Sequence, residues 1–181
     1  SQAQSQAKKH IVIIKLGTSS ICDDSTFFPK LTQLSALAED VLALRTAGHK
    51  VMIVSSGAVA MGIRRLGLKK RPKLNVQVQA AAAVGQGQLF SLYDDLFSRL
   101  GIPIAQVLYT KDSMAQRGQY LSLCNTLKEL LKMDIVPIIN ENDSVCSQEI
   151  RFGDNDTLSA IAATMVQATN LFLLTDVDAL Y

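Results

Sequence analysis

Ile11-Val12-Ile13-Ile14-Lys15-Leu16-Gly17-Thr18-Ser19-Ser20 is the stretch that decides the fold. Four β-branched residues stand in one unbroken apolar run, the mark of a strand covered on both faces. Two covers imply a sheet with layers above and below, the usual setting of parallel strands. The run then meets a lysine. Charge on a buried strand is costly to desolvate, so Lys15 either snorkels to solvent or serves a ligand. The Gly17-Thr18-Ser19-Ser20 turn beside it offers amides and hydroxyls, which with Lys15 can form an anion cradle.

The pattern repeats outward. Between residues 29 and 47, Leu31, Leu34, Leu37, Val41 and Leu44 recur at helical spacing, and Gly48 closes the helix. Val51-Met52-Ile53-Val54 is a second strand, followed by Ser55-Ser56-Gly57 and an Ala-rich helix. Residues 74–99 read as helical, with Gly85-Gln86-Gly87 weakening the middle by roughly 1 kcal/mol per glycine. Ile104-Ala105-Gln106-Val107-Leu108 is a strand and residues 121–133 a helix. Ile135-Val136-Pro137-Ile138-Ile139 is a strand in which Pro137 donates no ladder bond, so it should start there, bulge or lie near an edge. Residues 157–168 are helical and Leu171-Phe172-Leu173-Leu174 is another buried strand. Strand and helix in alternation predict an α/β fold, a mainly parallel sheet with helices on both faces. Neither a repeat nor a linker interrupts it. Residues 1–9 form a flexible polar tail and 10–181 one domain.

Ligands in such sheets bind at the carboxyl ends of the strands. Residues 15–20, 55–57, 140–143 and Thr175-Asp176 fall there. Ser56 and Gly57 open a helix, where free N–H groups and a close backbone suit an anion; a serine cap without a ligand is also common. The acidic cluster around Asn140-Glu141-Asn142-Asp143 and Phe152-Gly153-Asp154-Asn155-Asp156-Thr157 is harder to explain by stability. Crowded like charges repel, and unpaired polar groups resist burial. Asp143, Asp154, Asn155 and Asp156 can instead accept from an ammonium or hold lysines in place; Asp156 or Thr157 can also cap the next helix.

Composition narrows the classes. Of 181 residues, 48% are hydrophobic and 19% charged, an ordinary globular balance. A net charge of +2 gives no reason for nucleic acid or an anionic membrane as partner. No apolar run reaches the ~18 residues of a membrane span. Cys22, Cys124 and Cys146 are odd in number and dispersed, which suits a cytoplasmic, reducing setting and buried packing roles. His10 and His49 flank strands with no second ligand nearby, so neither is expected to be a metal site or a catalytic base. Lys69-Lys70-Arg71-Pro72-Lys73 reads as solvated loop. Neither a Walker A loop nor a GxGxxG after a strand is present.

Taken in order, Lys15-Leu16-Gly17-Thr18-Ser19, Val54-Ser55-Ser56-Gly57-Ala58, Pro137-Ile138-Ile139-Asn140-Glu141-Asn142-Asp143, Phe152-Gly153-Asp154-Asn155-Asp156-Thr157-Leu158-Ser159 and Leu173-Leu174-Thr175-Asp176 resemble the glutamate 5-kinase family of the amino acid kinase superfamily. The resemblance runs from Ile11 to Tyr181. It implies a three-layer α/β/α sandwich, ATP with Mg2+ as phosphoryl donor, and L-glutamate as acceptor in the first step of proline biosynthesis. It implies Lys15 at the transferring phosphate, with Gly17, Thr18, Thr175 and Asp176 at the nucleotide. Ser56, Gly57, Asn140, Asp143, Asp154 and Asn155 would lie at glutamate, and Asp156 would orient the catalytic lysines. Feedback inhibition by proline and a homo-oligomer are implied as well. The family's domain is longer, so the C-terminal part, with a second phosphate-stabilising lysine, is expected beyond Tyr181. Rival readings are a kinase for another acceptor, such as N-acetylglutamate or aspartate, and a non-catalytic amino-acid-sensing module.

Overall fold

The structure, a computed structural model, describes residues 9–145 and 154–175, without the side chains of Lys111 and Asp154. Five strands, β1 (Ile11–Leu16), β2 (Lys50–Ser55), β3 (Ile104–Tyr109), β4 (Val136–Glu141) and β5 (Asn170–Leu174), form one sheet in the order β3-β4-β2-β1-β5. Every pairing is parallel. The helices are α1 (Thr18–Ile21), α2 (Leu31–Thr46), α3 (Ala58–Arg65), α4 (Asn75–Arg99), α5 (Lys111–Ala115), α6 (Arg117–Lys132) and α7 (Asp154–Val166), with a 3-10 turn at Asp143–Val145.

Alternation along the strands builds the three layers. Val12, Ile14, Leu16, Val51, Ile53, Val136 and Ile138 share one core with Leu34, Leu37, Ala38 and Val41 of α2 and Leu89, Tyr93 and Phe97 of α4. Ile13, Met52, Val54, Val107, Tyr109 and Ile139 point the other way, onto α6 and α7. Ile13 and Ile53 are fully buried on opposite faces, each worth roughly 2 kcal/mol of burial. The unbroken apolar runs follow from this: each residue has a cover, whichever way it points.

Two expected helices shift. The helix expected from residue 157 begins at Asp154, so Asp156 and Thr157 lie inside its first turn. The helix expected from residue 121 begins at Arg117, after a short α5 that hydrophobic period did not reveal. Thr110 and Ser113 set α5 with a capping box, each side chain bonded to the other's backbone N–H.

Two strands also differ from expectation. Pro137 lies on an interior strand, between β3 and β2. It is the second residue of β4, and pairing with β2 begins only at Ile138. Val136 turns its N–H to Pro103, so alternation turns position 137 toward β2 before that ladder starts. A missing donor is tolerated there. β5 was expected to be buried but forms the sheet edge, with Phe172 and Leu173 about half exposed at 51% and 50%. An apolar run states what could be covered, and among the described residues β5 has a neighbour only in β1.

α4 runs unbroken through Gly85 and Gly87 because the first of these glycines is a packing device. A Cβ on Gly85 would stand 1.9 Å from the Ala58 carbonyl oxygen, and one on Gly62 would stand 1.8 Å from that of Ala81. α3 and α4 thus cross backbone to backbone, held by Val59, Ile63, Val78, Ala81 and Ala82. No helix among the described residues is long and apolar enough to cross a membrane.

Candidate active site

β1 and β2 end side by side, and their register sets Leu16 against Ser55. The turns that follow are tied together, the Ser56 N–H donating to the Leu16 carbonyl at 3.1 Å. Gly57 opens α3 at φ +99, and a Cβ there would press to 3.3 Å on Ile21 of α1. Both its conformation and its crowding exclude a side chain. Gly17 has an ordinary backbone conformation. Its role is space: a Cβ would fill the place 3.6 Å from the Lys15 ammonium.

Lys15 points, like Ile13, toward the α7 layer. Its ammonium meets the Asp156 carboxylate at 2.6 Å, with the lysine side chain 12% exposed and the aspartate 54%. Asp156 sits in the first turn of α7, where the helix dipole favours negative charge. The strand-end cation therefore does not snorkel away; it is held at the rim of the sheet by a carboxylate from the acidic cluster. Asn155, one residue earlier, reaches back to the second turn. Its Nδ2 donates to the Ser55 carbonyl at 3.1 Å and to the Ser56 hydroxyl at 2.6 Å. Lys15, Ser56, Gly57, Asn155 and Asp156 thus meet in one place, from three segments of chain.

Asn140 is buried at 3% exposure. Its Nδ2 donates to Gln86 of α4 at 2.8 Å and its Oδ1 accepts from the Glu141 N–H, so it braces β4 against α4. Glu141 faces the opposite layer, where with Tyr109, Tyr120 and Leu158 it lines a cavity of about 350 Å³. Asp143 is half-buried at the start of the 3-10 turn, within electrostatic reach of Arg71, whose guanidinium pKa burial lowers and Asp143 raises. Thr18 lies in α1, and Ser20 of the same turn donates to the Leu174 carbonyl at 3.3 Å, which brings the end of β5 and Thr175 alongside. Asp176, Gly153 and the Asp154 side chain lie outside the described residues.

Gln86, Tyr93 and Arg71 were not singled out from sequence as site residues. Tyr93 is buried beneath the Ser55 turn, its hydroxyl 2.9 Å from the Ser55 hydroxyl. Ser55 donates onward to the Ser56 carbonyl at 3.0 Å, so Tyr93 is the donor. Burial pushes the Tyr93 phenol well above its ordinary range. Gln86 and Tyr93 are seven positions apart on α4 and share a face; that spacing was the available signal. Tyr93→Phe is expected to destabilise the fold by about 1 kcal/mol through the lost bond. Urea unfolding checks this, and an unchanged midpoint would show that the turn does not need Tyr93.

The two histidines are a correction. Although distant in sequence, they are neighbours: the His10 N–H donates to His49 Nδ1 at 3.2 Å, with ring centroids 5.3 Å apart. The register that sets Ile11 against Lys50 brings them together, at the end of the sheet opposite the site. Among the described residues no group of three or more His, Cys, Asp or Glu side chains is placed to hold a metal ion. Cys22 and Cys124 are free and buried, and burial pushes the Cys22 thiol up to about 11.

A parallel sheet between helical layers, with a lysine, two glycine turns and an acidic helix start converging at its strand tips, defines a class. The amino acid kinase family model matches residues 10–181, and the chain belongs to that family. Within it, the chain is 57% identical over 180 residues to a probable glutamate 5-kinase of Schizosaccharomyces pombe, covering 99% of this chain and 45% of that protein. It is 50% identical to the glutamate 5-kinase of Rippkaea orientalis, covering 96% and 47%, and 52% identical to that of a Nostoc species, covering 94% and 45%. The chain spans about half the length of these curated relatives.

Proposed function

We propose that the protein carrying this chain transfers the γ-phosphoryl group of ATP to the γ-carboxylate of L-glutamate, giving L-glutamyl 5-phosphate, the first step of proline biosynthesis. The single observation that carries the proposal is the junction of Lys15, Asp156, Asn155 and Ser56 at the strand tips. A carboxylate is ionised near pH 7, so this acceptor needs no general base. What the reaction needs is alignment of two anions and compensation of their charge.

The residues fit that task. Lys15 offers a preorganised cation, fixed by Asp156, and Gly17 keeps the space beside it clear. The N–H groups after Gly57 add positive potential. Ser56, oriented by Asn155, holds the acceptor carboxylate, and Asp143 takes the α-ammonium. ATP supplies the phosphoryl group, held by Lys15, Gly17, Thr18 and the Thr175-Asp176 segment. Mg2+ would come with the triphosphate. The same family likeness supports feedback inhibition by proline, a homo-oligomer and a cytoplasmic location, the last in keeping with free, buried Cys22 and Cys124.

Trapping the acyl phosphate with hydroxylamine tests the reading. Glutamate should give the γ-hydroxamate, whereas aspartate and N-acetylglutamate should give little. Hydroxamate from N-acetylglutamate alone would assign the site to another acceptor. Asp143→Ala is expected to raise the KM for glutamate with little change in the KM for ATP. A collapse of ATP affinity instead would invert the two half-sites.

A further inference from the structure

We infer that Gln86 of α4 is a positioning residue: by holding Asn140 it sets the distance between the Ser56 and Asp143 turns, and so fits the site to an acceptor of one length. The inference rests on the proposed reading of the site as one for glutamate. It begins from two polar residues placed where apolar ones would serve the fold. On β2, Val51 and Ile53 point to the layer of α2 and α4, and Ser55 is next in that row. On β4, Val136 and Ile138 do the same, and Asn140 is next. Ile53 pairs with Ile138, so two residues on, Ser55 and Asn140 stand side by side at the strand tips. Both are buried, at 1% and 3% exposure.

α4 answers both of them. Tyr93 meets the Ser55 hydroxyl at 2.9 Å, and Gln86 accepts from Asn140 Nδ2 at 2.8 Å. The second bond has only one possible sense. The Glu141 N–H can only donate, and it takes Asn140 Oδ1 at 2.9 Å. Nδ2 is thereby turned to Gln86, which must present its oxygen. Two apolar side chains of the same shape would stabilise the fold about as well. What a buried directional pair adds is a fixed geometry.

That geometry bears on the site. Ser56 follows Ser55, and Asp143 begins the 3-10 turn three residues after Asn140, a turn that packs on α4. One helix thus holds the two strand tips from which both acceptor contacts project, Ser56 for the carboxylate and Asp143 for the ammonium. Without Gln86 the Asp143 turn is free to drift against the Ser56 turn. Glutamate then binds less well, and the site discriminates less against the shorter aspartate.

Steady-state kinetics on the full-length protein tests this. Gln86→Met, close in size but without the acceptor oxygen, should raise the KM for glutamate roughly 3- to 10-fold, the worth of one neutral hydrogen bond. The preference for glutamate over aspartate in kcat/KM should fall by a similar factor, while kcat and the KM for ATP stay within about twofold. Gln86→Glu, which keeps an oxygen at the same reach, should recover part of the loss. If Gln86→Met does not fold, Gln86→Ser, with room for water at Asn140 Nδ2, carries the same test. An unchanged KM for glutamate, or a lower kcat with both KM values unaltered, as mere loss of folded protein gives, would overturn the assignment. A wild-type protein that phosphorylates no glutamate would instead overturn the reading of the site on which the assignment rests.

Discussion

Lys15→Ala lowers kcat by on the order of 10²- to 10³-fold in the full-length protein, the usual cost of removing one preorganised group that stabilises developing charge. The structure gives two reasons to expect the upper part of that range. Lys15 is the cation held at the tip of β1, largely out of solvent and locked by Asp156 at 2.6 Å. Deleting it also leaves the Asp156 carboxylate uncompensated beside the incoming phosphates, so an attraction is replaced by a repulsion. The KM for glutamate should move little, because Asp143, Ser56 and Asn155, the residues proposed to hold it, remain. Steady-state kinetics with both substrates varied separates these effects, and an unchanged kcat would remove Lys15 from the reacting phosphate.

Gly85→Ala is the second large effect, and it acts on stability. The added Cβ would meet the Ala58 carbonyl oxygen at 1.9 Å and the Gly62 nitrogen at 2.4 Å. Both are backbone atoms of α3, so no rotamer can yield; the helix itself must shift. We expect a loss of about 3 kcal/mol or more, at or beyond the upper end of overpacking in cores. That is a large share of the total stability of a domain. Because α3 opens at Gly57, the same shift would misplace the turn that carries Ser56. Gly87→Ala supplies the internal control, since nothing stands within 4 Å of its Cβ position. It should stabilise α4 by roughly 0.5–1 kcal/mol. Urea unfolding of both variants decides: equal stability of Gly85→Ala and wild type would mean that α3 and α4 do not cross at this distance.

What was legible in the sequence follows a physical line. The runs at Ile11-Val12-Ile13-Ile14 and Val51-Met52-Ile53-Val54 have the period of doubly covered strands, and both lie inside the sheet with opposite residues in opposite cores. The residues at the strand ends could be placed at one rim for the same reason. Pairings were not legible, because they depend on register between distant segments. The Lys15–Asp156 pair was expected only through the family resemblance, since nothing in the local pattern near Lys15 names it, and nothing near His10 names His49. Gly85 reads locally as a weak point of a helix, and its reason appears only once α3 lies across it. β5 shows the converse limit: its apolar run carries no information on whether a neighbour stands beyond it.

Isotope transfer from the acceptor tests the alignment at Lys15 and Ser56 most directly. L-glutamate labelled with 18O in its γ-carboxylate is incubated with ATP, Mg2+ and the full-length protein. The acyl phosphate is left to cyclise by attack of its own amine, and the released phosphate is weighed. Attack by the carboxylate leaves one labelled oxygen on that phosphate, which is the expected result. Unlabelled phosphate would mean that water, not glutamate, takes the phosphoryl group at these strand tips, and would contradict the site described above.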